Sequence, residues 1–288
     1  MTLLLCVSLR PLIPLTDSIR GIQGEAISRL KFLYINFALT LAITLALTSF
    51  SFAETPSISF ILKKLEENME ITNDISSKVL LTQNKIEQGV KVFEMIYFRR
   101  DLDDSFLIVM TAPEAEKGNG YLRVGGNFWM YRRNTRTFQH INRDESIGGT
   151  DAKADDFEKR KITELYAGAA DNKGKEIINE ELLGKIPVYT LEVKAIVHDV
   201  DYPKKVYWVK KDDYLPLKEQ SYSLSGTLMQ TAYFLNYTQI NGKYVPIKHI
   251  YIDEFEKGNK TIVEISNIST DKLDDKIFTK AYLENLSK

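Results

Sequence analysis

The side chains able to do chemistry in this chain of 288 residues are few and scattered. Its three histidines, His140, His198 and His249, fall in separate segments with no HxxxH or HExxH spacing. The run His198-Asp199-Val200-Asp201 has residue types that ligate metals, yet it stands where a strand ends beside Pro203 and reads as a solvated turn. There is no Gly-x-Ser-x-Gly elbow to present a nucleophile. The one cysteine, Cys6, lies in a segment read below as removed from the mature chain. Arg99-Arg100 and Arg132-Arg133 suit lipid phosphates or an acidic partner surface, and they suit a solvated strand end as well. The sequence therefore offers no catalytic residue, no metal ligand set and no cofactor motif.

The elements that would position any site are mostly strands. Lys205–Lys211, Pro216–Ser223, Thr227–Thr238, Tyr244–Phe255 and Thr261–Ile268 are rich in Val, Ile, Thr, Tyr and Phe. Asn241-Gly242 suits a two-residue hairpin with φ > 0 at both central positions, and Gly258-Asn259 suits the related Gly-first turn. Asp212-Asp213 and Ser225-Gly226 are weaker turn signals. Two strands, Lys175–Leu183 and Pro187–Val197, lead into these five. An earlier meander covers Ile75–Leu81, Gly89–Arg99, Ser105–Ala112, Gly120–Arg123, Asn127–Arg133 and Thr137–Asn142, with Pro113–Asn119 a charged loop. Ser57 caps an amphipathic helix whose stripe is Ile58, Ile61, Leu62, Leu65 and Met69. Arg143–Lys153 is irregular, Asp155–Tyr166 reads as a short helix with Phe157, Ile162 and Leu165 inward, and Asp274–Leu286 is helical or nearly so. The expected fold class is mainly β (α+β): one large curved antiparallel sheet with a few helices packed on one side.

The N-terminus reads as an export signal. Arg29 and Lys31 precede Phe32–Phe50, an apolar run without charge, Pro or Gly, which closes on Ser51-Phe52-Ala53. That is a secretory signal over residues 29–53, with cleavage expected after Ala53 into the periplasm. The run is also long enough to stay as an anchor. Residues 1–28 have no clear periodicity and read as an extension ahead of the true start, leaving 54–288 as a single domain. Residues 1–53 hold four of the 38 basic groups and two of the 39 acidic ones, so their removal moves the net charge from −1 to −3. That balance argues against a nucleic-acid partner. The mature chain would hold no cysteine, so its core alone must stabilise it.

Several motifs, in order, resemble the outer-membrane lipoprotein-sorting protein family, whose members are similar to the periplasmic lipoprotein carrier LolA. In the C-terminal half they are Tyr207-Trp208-Val209, Tyr214-Leu215-Pro216-Leu217-Lys218, Gly226-Thr227-Leu228, Tyr244-Val245-Pro246, Leu273-Asp274-Asp275 and Phe278-Thr279-Lys280. In the N-terminal half they are Arg99-Arg100-Asp101-Leu102, Lys117-Gly118, Tyr121-Leu122-Arg123 and Trp129-Met130-Tyr131. Two segments depart from the family. Arg132-Arg133-Asn134 stands where members usually carry Pro, and Gly149-Thr150-Asp151-Ala152 replaces a Gly-Ser-Asp-Phe-like run.

The resemblance implies a half-open β-barrel whose helix-covered concave face encloses an apolar pocket for acyl chains. Burial of such a chain yields about 0.8 kcal/mol per CH₂, so a carrier needs a cavity and no reaction. Phe128 and Met130 share one strand face, Trp129 and Tyr131 the other. The candidate pocket residues are Ile61, Leu65, Phe93, Met95, Met110, Phe128, Met130, Trp208 and Met229, although such residues are more often plain core. By the same resemblance Arg143–Lys153 and the helix after it would form a lid, an inner-membrane transporter would load the cargo, and an outer-membrane acceptor would receive it. The carrier would be a monomer. The alternative is a periplasmic lipid-sensing regulator that binds a membrane partner without catalysis.

Overall fold

Alternating side chains and short turns build one antiparallel sheet. The computed structural model describes residues 55–142, 147 and 160–287; the expected extension, signal segment and most of the proposed lid, with Phe157, lie outside them. Among the described residues the first six strands are β1 Ile75–Lys85, β2 Gly89–Arg100, β3 Ser105–Ala112, β4 Gly120–Val124, β5 Asn127–Arg132 and β6 Thr137–His140. The other eight are β7 Tyr166–Gly168, β8 Ile178–Leu183, β9 Ile186–Ala195, β10 Lys204–Lys210, β11 Pro216–Tyr222, β12 Leu228–Ile240, β13 Lys243–Asp253 and β14 Lys260–Ser269. Their order is β6-β5-β4-β3-β2-β1-β14-β13-β12-β11-β10-β9-β7, with β8 also pairing with β9. Two meanders thus run outward from the antiparallel junction of β1 and β14, and the sheet stays open.

The turns explain the hairpins. Asn241 and Gly242 have φ of 51° and 76°, the double left-handed turn that twisted strands favour. Gly258-Asn259 does not form the expected two-residue turn. Pairing stops at Ile252 and Lys260, and the Asp253 carboxylate accepts from the backbone N–H groups of Phe255 and Glu256, winding a longer loop. The expected helix Asp155–Tyr166 is described only as α2, Ile162–Leu165, because Tyr166 already pairs with Ala195 as strand.

Cross-strand register defines the concave face. Leu191, Tyr207, Glu219, Ala232, Tyr251, Thr261 and Gln83 are successive partners across seven strands. A parallel row runs Phe234, His249, Val263, Leu81, Phe93. Helix α1, Ile58–Met69, starts where the Ser57 hydroxyl accepts from Phe60 N–H at 3.3 Å. It presses Ile58, Ile61, Leu62 and Leu65 onto Leu191, Val193, Tyr207 and Val209. Burying four such side chains stabilises the helix on its sheet by very roughly 6–12 kcal/mol before entropy is charged. A second cluster fills the other half of the same face with Phe93, Met95, Phe106, Ile108, Met110 and Phe128.

The helices do not all lie on one side, contrary to expectation. A 3₁₀ turn, Asp275–Phe278, and α3, Lys280–Leu286, cover Leu107, Val109, Leu122 and Tyr131 on the opposite face. The reason is β3, buried at six consecutive positions from Ser105 to Met110, so both of its faces need cover.

Candidate ligand cleft

Between the two concave-face clusters the side chains do not meet, and a cleft of about 490 Å³ remains under the C-terminal half of α1. Its roof is Leu65, Met69 and Ile71, with Arg160, Lys161 and Ile162 at one side. The floor comes from alternate residues of the central strands: Ile75 and Ser77, Tyr97 and Arg99, Ile265 and Ile268, with Phe234, Val245 and His249 beyond them. Ser77 faces an irregularity. Ser76 pairs with Ser269 and Lys78 with Ser266, so Asn267 and Ile268 together oppose Ser77. Asn267 has φ 52°, a left-handed conformation that Asn tolerates. Such a bulge bends the strand and re-aims neighbouring side chains.

The charges around the cleft are compensated. The Arg99 guanidinium donates to Asp101. Burial alone would lower its pKa, but Tyr97 and Asp101 outweigh that and keep it raised. Burial raises the Tyr97 phenol, so it stays neutral. Arg160 pairs with Asp199 at 3.0 Å, Lys161 with Glu70 at 3.8 Å, and Glu66 accepts from the Thr163 N–H at 2.7 Å. The last two contacts tie α1 to the segment beginning at Arg160. His249 donates from Nε2 to the Pro246 carbonyl at 3.0 Å, leaving Nδ1 to accept from the Tyr251 hydroxyl at 3.3 Å. Burial lowers its pKa, and both ring nitrogens are occupied. No three His, Cys, Asp or Glu side chains converge as a metal site among the described residues, and Asp199 of the His198 run is bound to Arg160.

The nine candidate pocket residues divide. Leu65 lines the cleft, and Ile61 packs beside it under α1. Phe93, Met95, Met110 and Phe128 form the closed cluster with Met130 against it, on the same face but packed shut. Trp208 stands on the opposite face: its cross-strand partner Lys218 lies over its ring, and its indole N–H donates to Glu181. Its neighbours Tyr207 and Val209 point inward instead, since a shift of one residue exchanges faces. Met229 is the extra residue of a bulge, because Ser221 pairs with Gln230 and Tyr222 with Leu228. It lies five residues, about 16 Å of strand, from Phe234, the β12 contribution to the cleft. Of the arginine pairs, Arg99 reaches the cleft, whereas Arg100 binds Asp103 and Asp275.

The sequence reading missed Ser77, Tyr97, Phe234, Ile265 and Ile268. Alternation from Phe93 and Met95 through the β1–β2 register would have reached Tyr97 and Ser77.

A family model described only as that of an uncharacterized protein matches residues 102–285, and the chain belongs to that family. No curated protein matches the sequence. Among solved structures, the chain is similar to a LolA superfamily protein from Nitrosomonas europaea, at 21% identity and TM-score 0.64 over 79% of this chain and 100% of that one. It is similar to an outer membrane lipoprotein-sorting protein domain from Vibrio parahaemolyticus, at 19% identity and TM-score 0.66 over 78% and 97%. A DUF1329 family protein from Desulfovibrio piger gives 20% identity and TM-score 0.68 over 80% and 100%. The fold is LolA-like. Among the described residues no helix is long and apolar enough to cross a membrane.

Proposed function

We propose that this protein is a periplasmic carrier that holds acyl chains of a lipoprotein or lipid in the cleft and conveys them toward the outer membrane. The observation that carries this reading is the open, mostly apolar cleft on the concave face of a LolA-like sheet. Its volume lies within the roughly 300–1,000 Å³ of small-molecule sites. Fold alone does not license a function, but the cleft chemistry agrees. Its histidine is fully engaged and its charges are paired, an arrangement suited to holding apolar matter and not to reacting with it. In this reading an inner-membrane transporter loads the cargo and an outer-membrane acceptor removes it. In the same reading Arg143–Lys153 and the segment after it act as a lid; the described end of that segment is held to α1 by Glu66 on Thr163 and Glu70 on Lys161.

Native mass spectrometry of the protein purified from the periplasm tests this. A co-purifying acylated species is the expected result. Protein that is empty and also refuses a fluorescent acyl chain contradicts the carrier.

A further inference from the structure

The cleft's chemistry narrows its ligand, granted the carrier reading above. Ser77 differs from the other polar groups of the floor: Arg99 and Tyr97 interact with each other, Arg99 with Asp101, and His249 with Pro246 and Tyr251. Ser77 is 5% exposed, and its hydroxyl has no hydrogen-bond partner among the described residues. Buried hydroxyls nearly always have one, and here the β14 bulge at Asn267 and Ile268 lies directly across from it. The charged groups around the same cleft, in contrast, have their partners: Arg99 with Asp101, Arg160 with Asp199, Lys161 with Glu70, Glu66 with Thr163. A charged group entering the cleft would have to share a partner already engaged in one of these contacts, and it would give up its water in an apolar site, which is costly. An uncharged oxygen meets no such conflict and supplies what Ser77 lacks.

We infer that the cleft takes a single chain whose inserted polar group is uncharged, an alcohol, ester or amide oxygen that hydrogen-bonds Ser77. The cleft's 490 Å³ suits one such chain.

The experiment is a fluorescence titration of the full protein with pyrene-labelled chains of one length ending in alcohol, methyl ester, carboxylate or trimethylammonium. The alcohol and ester should bind more tightly than either charged chain, and their affinity should not change with salt. In Ser77→Ala that preference should shrink by about two- to tenfold, the worth of one neutral hydrogen bond. The melting temperature of this variant should stay the same or rise, because the hydroxyl it removes bonds nothing in the protein. Equal binding of all four chains, a preference for the carboxylate, or an unchanged ratio in Ser77→Ala overturns this inference and leaves the carrier standing. Binding of none of them overturns the carrier as well.

Discussion

Ile265→Trp should close the cleft without unfolding the protein. Ile265 is half-buried on β14 opposite Val79, and it lines the cleft. An indole there buries on the order of 50–100 Å² more apolar surface than isoleucine. At ~25 cal/mol per Å² that gains up to about 1–2 kcal/mol, less the lost rotamer freedom. A ligand denied contact with three methylenes loses about 2.4 kcal/mol, roughly a 50-fold weaker affinity. Met110→Trp is the control. Met110 is 1% exposed within the closed cluster, so overpacking should cost about 1–3 kcal/mol. Urea unfolding and titration of a pyrene-labelled chain read both quantities. The reasoning is refuted if Ile265→Trp loses as much stability as Met110→Trp, or if it keeps wild-type affinity.

Three further outcomes follow from the packing. Lys205 and Glu219 form an ion pair at 2.6 Å with side chains 19% and 14% exposed on the concave face. Burial alone would pull the lysine's pKa down, but Glu219 outweighs it and holds the ammonium charged. Glu219→Ala strands that charge and should cost about 3–5 kcal/mol in urea unfolding, whereas the double variant Lys205→Met, Glu219→Leu should recover most of the loss. Gly120→Ala would put a Cβ 2.7 Å from the Ile108 carbonyl and 2.5 Å from Leu283. It should destabilise by about 1–3 kcal/mol and speed amide exchange in α3. His249 is kept neutral in the fold, so the unfolded chain takes up its proton first as pH falls. Stability should therefore drop below about pH 6.5, and His249→Gln should flatten that drop in a series of melting temperatures against pH.

Much of the sheet was legible because its signals are local. Turn residues such as Asn241-Gly242 and runs of β-branched and aromatic residues place the five strands after Lys204 to within a few residues. The split of Phe128 and Met130 from Trp129 and Tyr131 shows in the structure as two clusters on opposite faces. The cleft was less legible, for three reasons. Val206 to Val209 are all apolar, so the phase that turns Tyr207 inward and Trp208 outward cannot be read from the pattern. Bulges at Met229 and Asn267 arise from how strands meet, and composition does not announce them. Ser77 looks like a solvent-facing strand residue, and only the β1–β2 register places it on the concave floor.

The most direct test of the carrier is to ask where a chain lies. A fatty alcohol bearing a diazirine near its end, photolysed with the full protein and mapped by peptide mass spectrometry, answers it. Adducts on the cleft segments around Leu65–Ser77, Tyr244–His249 and Ile265–Ile268 are the expected result. Adducts confined to exposed Leu224, Phe255 or the Trp208 face, or none above background, would contradict the account.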